Sequence, residues 1–563
     1  MYFRIVRNGL WEKIKSQEKT VRDVTYITGF GGQFIDDERR VMCYYLDKCF
    51  ISEVIPERSI ERLNGKSSAF IVSQTGTGKT TFIFNTCLPV ALSRGKKVLY
   101  LCNRTALAAQ VKQEAITCES NKNKYVNRLL VEDYNKYYSE EGLSRINNFG
   151  CIDIYTYQGL LSAIDNINFD DYELVILDEA HFFISDATFN PYTEIMLDTI
   201  IDKCSNCGRL YLSATPQESI DVIWDKEEPH SVMTVYVVQE DYGYINPFFF
   251  SDKESIIDII RKSDKNQLWI IFITNKEEGR KLWNTFGKNQ ADFFTADSDT
   301  NSELYEKITK GKTLDNRILI TTKVLDVGVS INDPNVNVVV FEQNIPEIKQ
   351  MIGRKRVSKN ERVNVYFFVP TIKELHKLYS NTLSSMEEAE KSIKEALSSR
   401  FISEIKHPVF LHNQEVRVNN FCIQKLNTDL WDIKELIDYL DSQQEKSQEL
   451  YTTIFANNLL ANFPNCRIHN MSLIDKDPEE DMIKIIRKYL LLNNFDEDGL
   501  NNLSKEIEKC VGDIRVKKRE TTMSKQSLNK ILKKYGYVII TRYKPTQHMI
   551  SPLEEKQDVR LSL

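Results

Sequence analysis

The sequence of 563 residues lacks any apolar run close to the roughly 20 residues that span a bilayer. Its first residues, MYFRIVRNGLWEKIKSQEK, also lack an apolar signal core, so we expect a cytosolic protein with no membrane partner. An excess of basic residues is absent too, since 74 Lys and Arg stand against 80 Asp and Glu, for a net charge of −6. This balance excludes a general attraction to nucleic acid, and any surface that binds it must be local.

A cysteine framework is also absent. The 11 cysteines are scattered, and several lie inside apolar runs, which is typical of reduced, buried thiols. Cys204 and Cys207 form one C-x-x-C pair, but no clear second pair accompanies it, which argues against a zinc site. The chain shows no repeat of fixed period and no low-complexity tract. With 42% hydrophobic and 27% charged residues, its composition is typical of globular proteins.

The length predicts several domains. Continuous apolar runs recur along the chain at intervals that leave room for helices, which predicts parallel sheets covered on both faces. One set of runs ends at GRLYLSAT (208–215), and a second set begins at TVYVVQE (234–240). The polar segment between them predicts a boundary near residue 225. We therefore expect a leader at 1–60, an α/β domain at 61–225, a second at 226–370 and a mostly helical region at 371–563.

The stretch SQTGTGKTTF (73–82) lies between an apolar run and a predicted helix. Its glycines allow successive backbone N–H groups to face one concavity, as in loops that hold phosphate. Lys79 can reach the β- and γ-phosphates of a nucleotide, and Thr80 can bind Mg²⁺. Ser73 stands where the strict phosphate-loop pattern has glycine, and we expect a small side chain to suffice there. The predicted nucleotide-binding residues are Ser73, Gln74, Thr75, Gly76, Thr77, Gly78, Lys79, Thr80 and Thr81.

A second chemical motif is VILDEAHFF (175–183), in which an apolar strand ends in two carboxylates. Ligands of parallel α/β sheets bind at the carboxyl ends of the strands. Asp178 is therefore the candidate Mg²⁺ ligand together with Thr80, and Glu179 is the candidate base for an attacking water. A helix cap is the alternative role for such a pair of acids.

Together with LSATP (212–216), these motifs resemble the first motor domain of superfamily 2 helicases of the DExH type. Further pieces resemble other motifs of that family in the right order. These pieces are LCNRTALAAQ (101–110), IYTYQGL (154–160), FITNKEEGRKLW (272–283), TTKVLDVGVSI (321–331) and QMIGRKR (350–356). The resemblance covers roughly residues 68–370. It implies two tandem RecA-like parallel-sheet domains that hydrolyse Mg-ATP between them, followed here by the helical region.

The resemblance also implies roles for residues of the second domain. Gln350, Arg354 and Arg356 are the candidates that act on the transferred phosphate, the arginines by neutralising its charge. The family pattern Gln-x-x-Gly-Arg-x-x-Arg ends at a position that is Val357 here, so the second arginine stands one residue early. Which arginine is the finger stays open, and a solvated basic turn is the alternative for this cluster.

Two further groups of residues follow from the resemblance. The residues implied in coupling ATP hydrolysis to the nucleic-acid cleft are His181, Ser213, Thr215 and Gly328. The residues implied in holding the nucleic-acid backbone are Arg104, Thr156, Thr274, Thr322 and Ser330. Taken singly, each of these residues has a structural role in capping or packing as its alternative.

One local basic run stands near the end of the chain. The segment from Arg515 to Lys544 carries ten Lys or Arg and a single Glu. A helix capped by Thr522 or Ser524 and followed by a strand predicts a winged-helix-like module near 480–545. Its candidate phosphate-binding residues are Lys525, Lys530, Lys533 and Lys534. A solvated basic face is the equal alternative.

The sequence thus predicts an ATP-dependent helicase or translocase that moves on a single strand, with 3′-to-5′ movement implied by the family. DNA is favoured over RNA as the substrate, and a protein subunit of a larger complex is a second candidate partner. Two alternatives remain. One is a duplex translocase that does not unwind, as in restriction or defence complexes, and the other is an ATP-gated switch or scaffold.

Overall fold

The computed structural model describes most of the chain. The described residues are 10–15, 32–36, 41–47, 50–117, 145–295, 297–298, 302–322, 330–358, 361–398, 405–442, 448–466, 478–492, 494–511, 524–535, 537–542 and 547–552. They divide into two compact units. The first unit takes in Met1–Ser251 and Lys262–Leu473, and the second takes in Asp252–Arg261 and Ile474–Leu563.

An eight-stranded sheet forms the first half of the first unit, with the strand order β1-β2-β8-β3-β7-β6-β4-β5. Its strands are β1 (Gly32–Asp36), β2 (Val41–Leu46), β3 (Ser67–Val72), β4 (Lys97–Cys102), β5 (Ile152–Thr156), β6 (Tyr172–Leu177), β7 (Gly208–Ser213) and β8 (Val232–Val238). All neighbours are parallel except β1 and β2. On β3, Phe70 and Ile71 enter buried clusters on opposite faces of the sheet. The predicted parallel sheet with both faces covered is therefore confirmed.

Helices follow most strands of this sheet. They are α1 (Ile51–Val54), α2 (Glu57–Glu61), α3 (Lys79–Phe82), α4 (Leu88–Ser93), α5 (Thr105–Thr117), α6 (Tyr157–Ala163), α7 (Phe182–Ser185), α8 (Thr193–Lys203) and α9 (Ser219–Glu227). A π-helical stretch, Ile83–Cys87, joins α3 to α4 without a break. Residues 10–15 are also helical, and two 3-10 turns lie at Ile164–Asn166 and Phe169–Asp171.

A six-stranded, all-parallel sheet follows, with the order β11-β12-β10-β13-β14-β9. Its strands are β9 (Ile245–Phe250), β10 (Leu268–Phe272), β11 (Ala291–Phe294), β12 (Ile318–Thr321), β13 (Val336–Val340) and β14 (Val363–Phe368). The helices in this part of the chain are α10 (Lys253–Lys262), α11 (Lys276–Phe286), α12 (Glu303–Glu306), which continues as a π turn at Lys307–Gly311, and α13 (Ile345–Gly353). Two parallel sheets in tandem confirm the predicted fold class.

The predicted domain boundary at 225/226 is wrong. The run at 234–240 largely forms β8, which pairs with β2 and β3 of the first sheet, so the two sheets part only after Val238. Residues 1–60 are likewise no separate leader where they are described, because β1 and β2 belong to the same sheet. Apolar runs show that strands exist, but sheet membership is set by which neighbours complete their hydrogen bonds.

After β14 the chain forms three long helices and a hairpin. They are α14 (Ile372–Ser398), the hairpin β15 (Val409–His412) and β16 (Glu415–Val418), α15 (Asn420–Ser442) and α16 (Gln448–Leu460). Apolar side chains of α14 and α15 enter the core of the first sheet. Those of α16 enter the core of the second sheet.

The second unit contains α17 (Pro478–Leu491), α18 (Glu497–Val511), α19 (Lys525–Leu532), a 3-10 turn at Lys533–Tyr535, and the hairpin β17 (Tyr537–Arg542) and β18 (Gln547–Pro552). Between α17 and α18, Phe495 forms an antiparallel bridge with His548 of β18. Ser524 caps α19 by accepting a hydrogen bond from the Ser527 N–H, whereas Thr522 lies outside the described residues. The order of the elements in this unit is that of a winged helix: a helix, a bridging strand, two helices and a hairpin. No helix among the described residues is long and apolar enough to cross a bilayer.

A fully buried ion pair joins β7 to α9. Arg209 donates to both oxygens of Glu227, over 2.6 and 2.8 Å, and both side chains have no exposed area. The Tyr211 and Ser231 hydroxyls donate to the same carboxylate. The desolvation of both charges is thus compensated by hydrogen bonds.

We expect Glu227→Gln to lower the free energy of unfolding by about 3–5 kcal/mol, because it leaves the Arg209 charge buried without its counter-ion. Denaturant titration followed by circular dichroism measures this loss. The control is Glu173→Gln, which removes a carboxylate paired with the partly exposed Arg94. That substitution should cost about 0–1 kcal/mol. Equal losses for the two variants would contradict the assigned importance of the buried pair.

Candidate functional site

The loop that follows β3 has the backbone of a phosphate cradle. Gly76 and Gly78 adopt φ values of 87° and 81°, which a side chain would strain. Gly78 is the N-terminal cap of a helical segment that runs from Lys79 through the π stretch to Ser93. Lys79 Nζ donates to the Ser73 carbonyl over 3.1 Å, which folds the ammonium back across the loop. The loop can therefore surround an anionic group with N–H donors and one cation.

Ser73, which replaces a glycine of the strict pattern, is completely buried. Its N–H donates to the Ser213 carbonyl over 3.1 Å, so the loop starts against the end of β7. The serine side chain is enclosed there, and its hydroxyl has no hydrogen-bond partner among the described residues.

Three contacts that the sequence does not predict shape this loop. The Ile51 N–H donates to the Thr77 carbonyl over 3.1 Å, and the Phe50 ring lies 3.3 Å from the position of a Cβ on Gly78. Phe50 is 55% exposed, although it is a large aromatic residue. On the other side, Gln74 Oε1 accepts a hydrogen bond from the Asp241 N–H over 3.1 Å. An aromatic residue before a short helix is too common for the sequence to single out Phe50.

Asp178 directly follows β6 and lies beneath the loop's lysine. Its Oδ2 accepts a hydrogen bond from Tyr100 over 2.6 Å, and its Oδ1 accepts one from the Glu179 N–H over 2.9 Å. Burial and the neighbouring Glu179 raise the pKa of Asp178 to about 6, against the opposing charge of Lys79. The carboxylate is held in place by donors, and its charge is not fully compensated by the protein.

Glu179 has a backbone φ of 52°, the left-handed region that non-glycine residues seldom occupy. Such strain persists only where surrounding contacts enforce it, and it is common at functional sites. Burial raises the pKa of Glu179, but the neighbouring His181 and the charges of Lys79, Arg354 and Arg356 outweigh it, so the pKa falls below its ordinary value. The two adjacent carboxylates therefore have pKa values shifted in opposite directions, which suits different roles.

One side-chain amide connects the two sheets. Gln350 Nε2, on α13, lies 2.9 Å from His181 Nε2 and donates to Thr215 Oγ1 over 3.0 Å. Burial lowers the pKa of His181, which favours the neutral ring with Nε2 as the acceptor. The other nitrogen, His181 Nδ1, lies 3.3 Å from Ser213 Oγ and 3.4 Å from Glu179 Oε2. The structure thus brings together five residues that the sequence singles out: Glu179, His181, Ser213, Thr215 and Gln350.

The end of α13 faces the phosphate loop. A Cβ on Gly353 would lie 2.2 Å from Thr75 Oγ1, so only glycine permits this approach. α13 ends at Gly353, and Lys355 forms a parallel bridge with Ile331. In extended backbone, side chains two residues apart share a side, whereas in a helix those three or four apart do so. Because α13 ends before Lys355, Arg356 can turn to the loop although it stands one residue early in the motif.

Both arginines reach the site. Arg356 Nη1 lies 3.2 Å from the position of a Cβ on Gly76, and its Nε donates to Ser330 Oγ over 2.9 Å. Arg354 is 4% exposed and contributes to the field that lowers the pKa of Glu179. Arg356 is thus nearer the phosphate loop, and Arg354 lies within the field of the carboxylates. The alternative of a solvated basic turn does not fit, because both side chains are largely buried.

The residues predicted to hold a nucleic-acid backbone have more varied surroundings. Arg104 Nη2 pairs with Asp186 Oδ2 over 2.9 Å, while Thr156 caps α6 by accepting from the Gly159 N–H. Thr274 is exposed and Thr322 is buried. Gly328 lies outside the described residues. Ser330 is occupied by the bond to Arg356, so the structure gives it a place in the phosphate site rather than on a strand-binding surface.

Comparison with known proteins agrees with this arrangement. Residues 40–218, which contain the phosphate loop and both carboxylates, match the family described as type III restriction enzyme, res subunit. The matched part includes the motifs that resemble those of the first motor domain of superfamily 2 helicases. It ends before Gln350 and the arginines, whose placement against the loop is seen only in the structure.

Similarity to individual proteins is more distant. Over 307 residues this chain is 25% identical to genome polyprotein 1 of Barley mild mosaic virus (strain Na1), covering 52% of this chain and 12% of the polyprotein. It therefore spans about an eighth of that relative. Among solved structures, S. cerevisiae Dbp5 bound to RNA and ADP BeF3 is 16% identical, with a TM-score of 0.40 and 54% and 79% of the two chains covered. Mycobacterium smegmatis helicase Lhr bound to ssDNA and AMP-PNP is 15% identical, with a TM-score of 0.39 and 57% and 46% covered.

We expect Arg356→Ala and Arg354→Ala each to lower the kcat of ATP hydrolysis by ~10³-fold, the usual effect of removing an arginine finger. Steady-state phosphate release at saturating ATP measures this. A decrease for Arg356 alone would identify it as the finger and leave Arg354 a structural role.

The extended backbone at Lys355 supplies a matched control. The double substitution of Arg356→Val with Val357→Arg restores the spacing of the family pattern but turns the new guanidinium away from the loop. It should be as inactive as Arg356→Ala. Full activity of the double variant would contradict the explanation given for the shifted arginine.

Proposed function

We propose that this chain is a nucleic-acid motor that couples hydrolysis of Mg-ATP to movement along a single strand, with DNA as the favoured substrate. The observation that carries the proposal is the meeting of two sets of side chains at one phosphate loop. Lys79, Asp178 and Glu179 come from the first sheet, and Arg354 and Arg356 come from the second. Charge from both domains at one site makes hydrolysis depend on their relative position.

The residues present fit a magnesium ion. Asp178 offers a buried carboxylate whose raised pKa reflects uncompensated charge, and Thr80 offers a hydroxyl next to Lys79. Among the described residues, no group of three or more His, Cys, Asp or Glu could hold a metal by itself. This donor set suits Mg²⁺, which is usually held by one or two protein oxygens together with substrate phosphates. When bound, the ion would neutralise charge on the β- and γ-phosphates.

The protein's own residues then divide the work. The loop N–H groups and Lys79 bind the phosphates, and the half-exposed ring of Phe50 lies where a base could stack. Glu179, with its lowered pKa, is ionised at neutral pH and can orient and deprotonate a water. Arg356 and Arg354 stabilise the charge that develops on the transferred phosphate. The amide of Gln350 hydrogen-bonds to both His181 and Thr215. These bonds form only when the second sheet lies against the first, so they link the site to the position of the second sheet.

The choice of polymer is supported by two observations. The matched family is that of a restriction-enzyme subunit, and the second unit has the helix and hairpin order of a winged helix. The restriction-enzyme likeness also favours a second candidate, a motor that moves along duplex DNA without unwinding it. Unwinding of a forked duplex with ATP, compared with displacement of a bound protein from intact duplex, distinguishes the two.

We expect Glu179→Gln to bind ATP but to lose hydrolysis, and Lys79→Ala to lose both, because the first removes a base and the second removes a phosphate ligand.

Phosphate release should rise when single-stranded DNA is added to the unsubstituted protein. An equal rise with single-stranded RNA would contradict the DNA preference. Near-normal turnover of Glu179→Gln would contradict the role of that carboxylate, and turnover independent of any nucleic acid would favour an ATP-gated switch.

The second unit presents basic side chains on α19. Lys530, Lys533 and Lys534 are exposed, whereas Lys525 Nζ contacts the Thr541 hydroxyl of β17. The helix is fixed to the hairpin, since Asn529 Oδ1 accepts from the Ile539 N–H over 2.6 Å. We propose that the three exposed lysines contact backbone phosphates, and we do not include Lys525 among them.

Replacing Lys530, Lys533 and Lys534 together by Gln should weaken binding about equally for all sequences. It should also flatten the slope of log K against log salt by roughly 0.7–0.9 per lost contact. Fluorescence anisotropy with labelled single strands at several salt concentrations measures both effects. The control variant neutralises Lys391 and Lys394, which are exposed on α14. If the triple variant kept its affinity and slope, these lysines would be a solvated helix face.

A further inference from the structure

The helices α14–α16, here named the helical strap, join the cores of both motor domains. Met386 of α14 and Phe421 of α15 are buried with the side chains of the first sheet. Phe455 and Leu459 of α16 are buried with those of the second sheet. Because a packed core does not deform continuously, the strap must respond when the two sheets change their relative position.

The start of α15 is fixed to the first motor domain by polar contacts. Asn419 Nδ2 donates to the Asn190 carbonyl and to Thr193 Oγ1, each over 2.9 Å. The Asn420 N–H donates to Glu194 Oε2 over 2.7 Å. Asn419 is completely buried, so these bonds form away from water. The next turns of α15 are therefore held at a defined place on this domain.

Lys425 of α15 forms an ion pair with the segment that follows Thr215. Its ammonium lies 3.1 Å from Glu218 Oε2 and 2.6 Å from Asp429 Oδ1. The side chains of Lys425 and Glu218 are only 10% and 14% exposed. An ion pair at this depth is screened little by solvent, and removing one partner leaves the other charge uncompensated.

Glu218 occupies the position before α9, three residues after Thr215. Thr215 receives the hydrogen bond from Gln350 that connects the two sheets. The segment 213–218 is thus held at its start by Ser213, in β7, and at its end by the ion pair with Lys425. Glu347, on α13 one turn before Gln350, adds its negative charge to the surroundings of Glu218. The ion pair therefore lies at the joint of the two motor domains.

We propose that Lys425 is a positioning residue for ATP turnover, which through Glu218 holds the segment 213–218 where Thr215 can accept the hydrogen bond from Gln350. The inference rests on the proposed ATPase function and adds to it a residue outside the matched family region and outside the helicase motifs. Its consequence is that the strap takes part in coupling the two motor domains. Lys425 itself touches no nucleotide-binding residue of the phosphate loop.

The charges around this ion pair are unequal. Lys425 faces Glu218 and Asp429, and Asp432 lies near both carboxylates, with Glu435 close by on the same helix. Burial, followed by the charges of Glu218 and Asp429, raises the pKa of Asp432 to about 7.

Lys425→Met should lower the kcat of nucleic-acid-stimulated ATP hydrolysis about ten-fold, because misplacement of a remote positioning group costs up to ~10²-fold. The KM for ATP should change less than two-fold, roughly, since the phosphate loop is untouched. Lys425→Arg keeps the charge at the same depth and should restore most of the rate. A fall in thermal stability without a change in kcat would overturn the proposal and leave Lys425 a structural role.

Combination with Glu218→Gln tests whether Lys425 acts through that carboxylate. The double variant should be no slower than the slower single variant, because both substitutions remove one interaction. The matched control is Lys226→Met, which also loses a partly buried ion pair at the α15 contact, with Glu194 and Asp198, but does not reach Glu218. Multiplied losses in the double variant, or an equal loss in Lys226→Met, would overturn the assignment.

Hydrogen exchange separates this inference from the proposed function. Amides of the segment 213–218 should exchange faster in Lys425→Met than in the unsubstituted protein. In Lys226→Met their exchange rate should be unchanged. Both expectations hold whether or not ATP is hydrolysed. Unchanged exchange in Lys425→Met would overturn the inference even if the protein is an active ATPase. An inactive unsubstituted protein with faster exchange in the variant would overturn the proposed function alone.

Discussion

The close approach of α13 to the phosphate loop is the constraint on which the rest of the site depends. It is possible because Gly353 has no side chain, since a Cβ there would overlap Thr75. The same approach places Gln350 within hydrogen-bond distance of His181 and Thr215, and it places Arg356 beside Gly76. A side chain at position 353 would hold α13 farther from the loop and weaken all three contacts together. The site is therefore complete only when the two sheets are in contact.

The electrostatics of the site follow from that contact. Two buried carboxylates from the first sheet stand beside Lys79, and the second sheet contributes two arginines. Asp178 has a raised pKa and Glu179 a lowered one. Asp178 is therefore suited to binding a cation, whereas Glu179 is ionised without one. The positive φ of Glu179 shows that the backbone is held in a strained form at the candidate base. Strain and unequal charge at one point are typical of a site built for chemistry rather than for stability.

The helical strap gives the two sheets a second connection, in addition to the chain segment after β8. Its first helices are buried with the core of one sheet and its last helix with the core of the other. The Lys425–Glu218 pair places a polar contact of this strap three residues from Thr215, which accepts the hydrogen bond from Gln350 of the second sheet. A structural element outside the motifs is thus in contact with the segment that carries one of them.

The sequence by itself determined the parallel-sheet fold class, the phosphate loop and the two carboxylates after β6. These features are local, because glycine spacing, an apolar run and the residues at its end are adjacent in the chain. Only the tertiary structure decided that β8 belongs to the first sheet, since a buried apolar strand fits either sheet until its neighbours are known. It also decided that Ser330 turns to Arg356 and that Thr156 caps a helix. Arg356, the displaced arginine, shows the reason most clearly. The direction of its side chain depends on where α13 ends and extended backbone begins. That point is fixed by the pairing of Lys355 with Ile331 rather than by the residues of the motif.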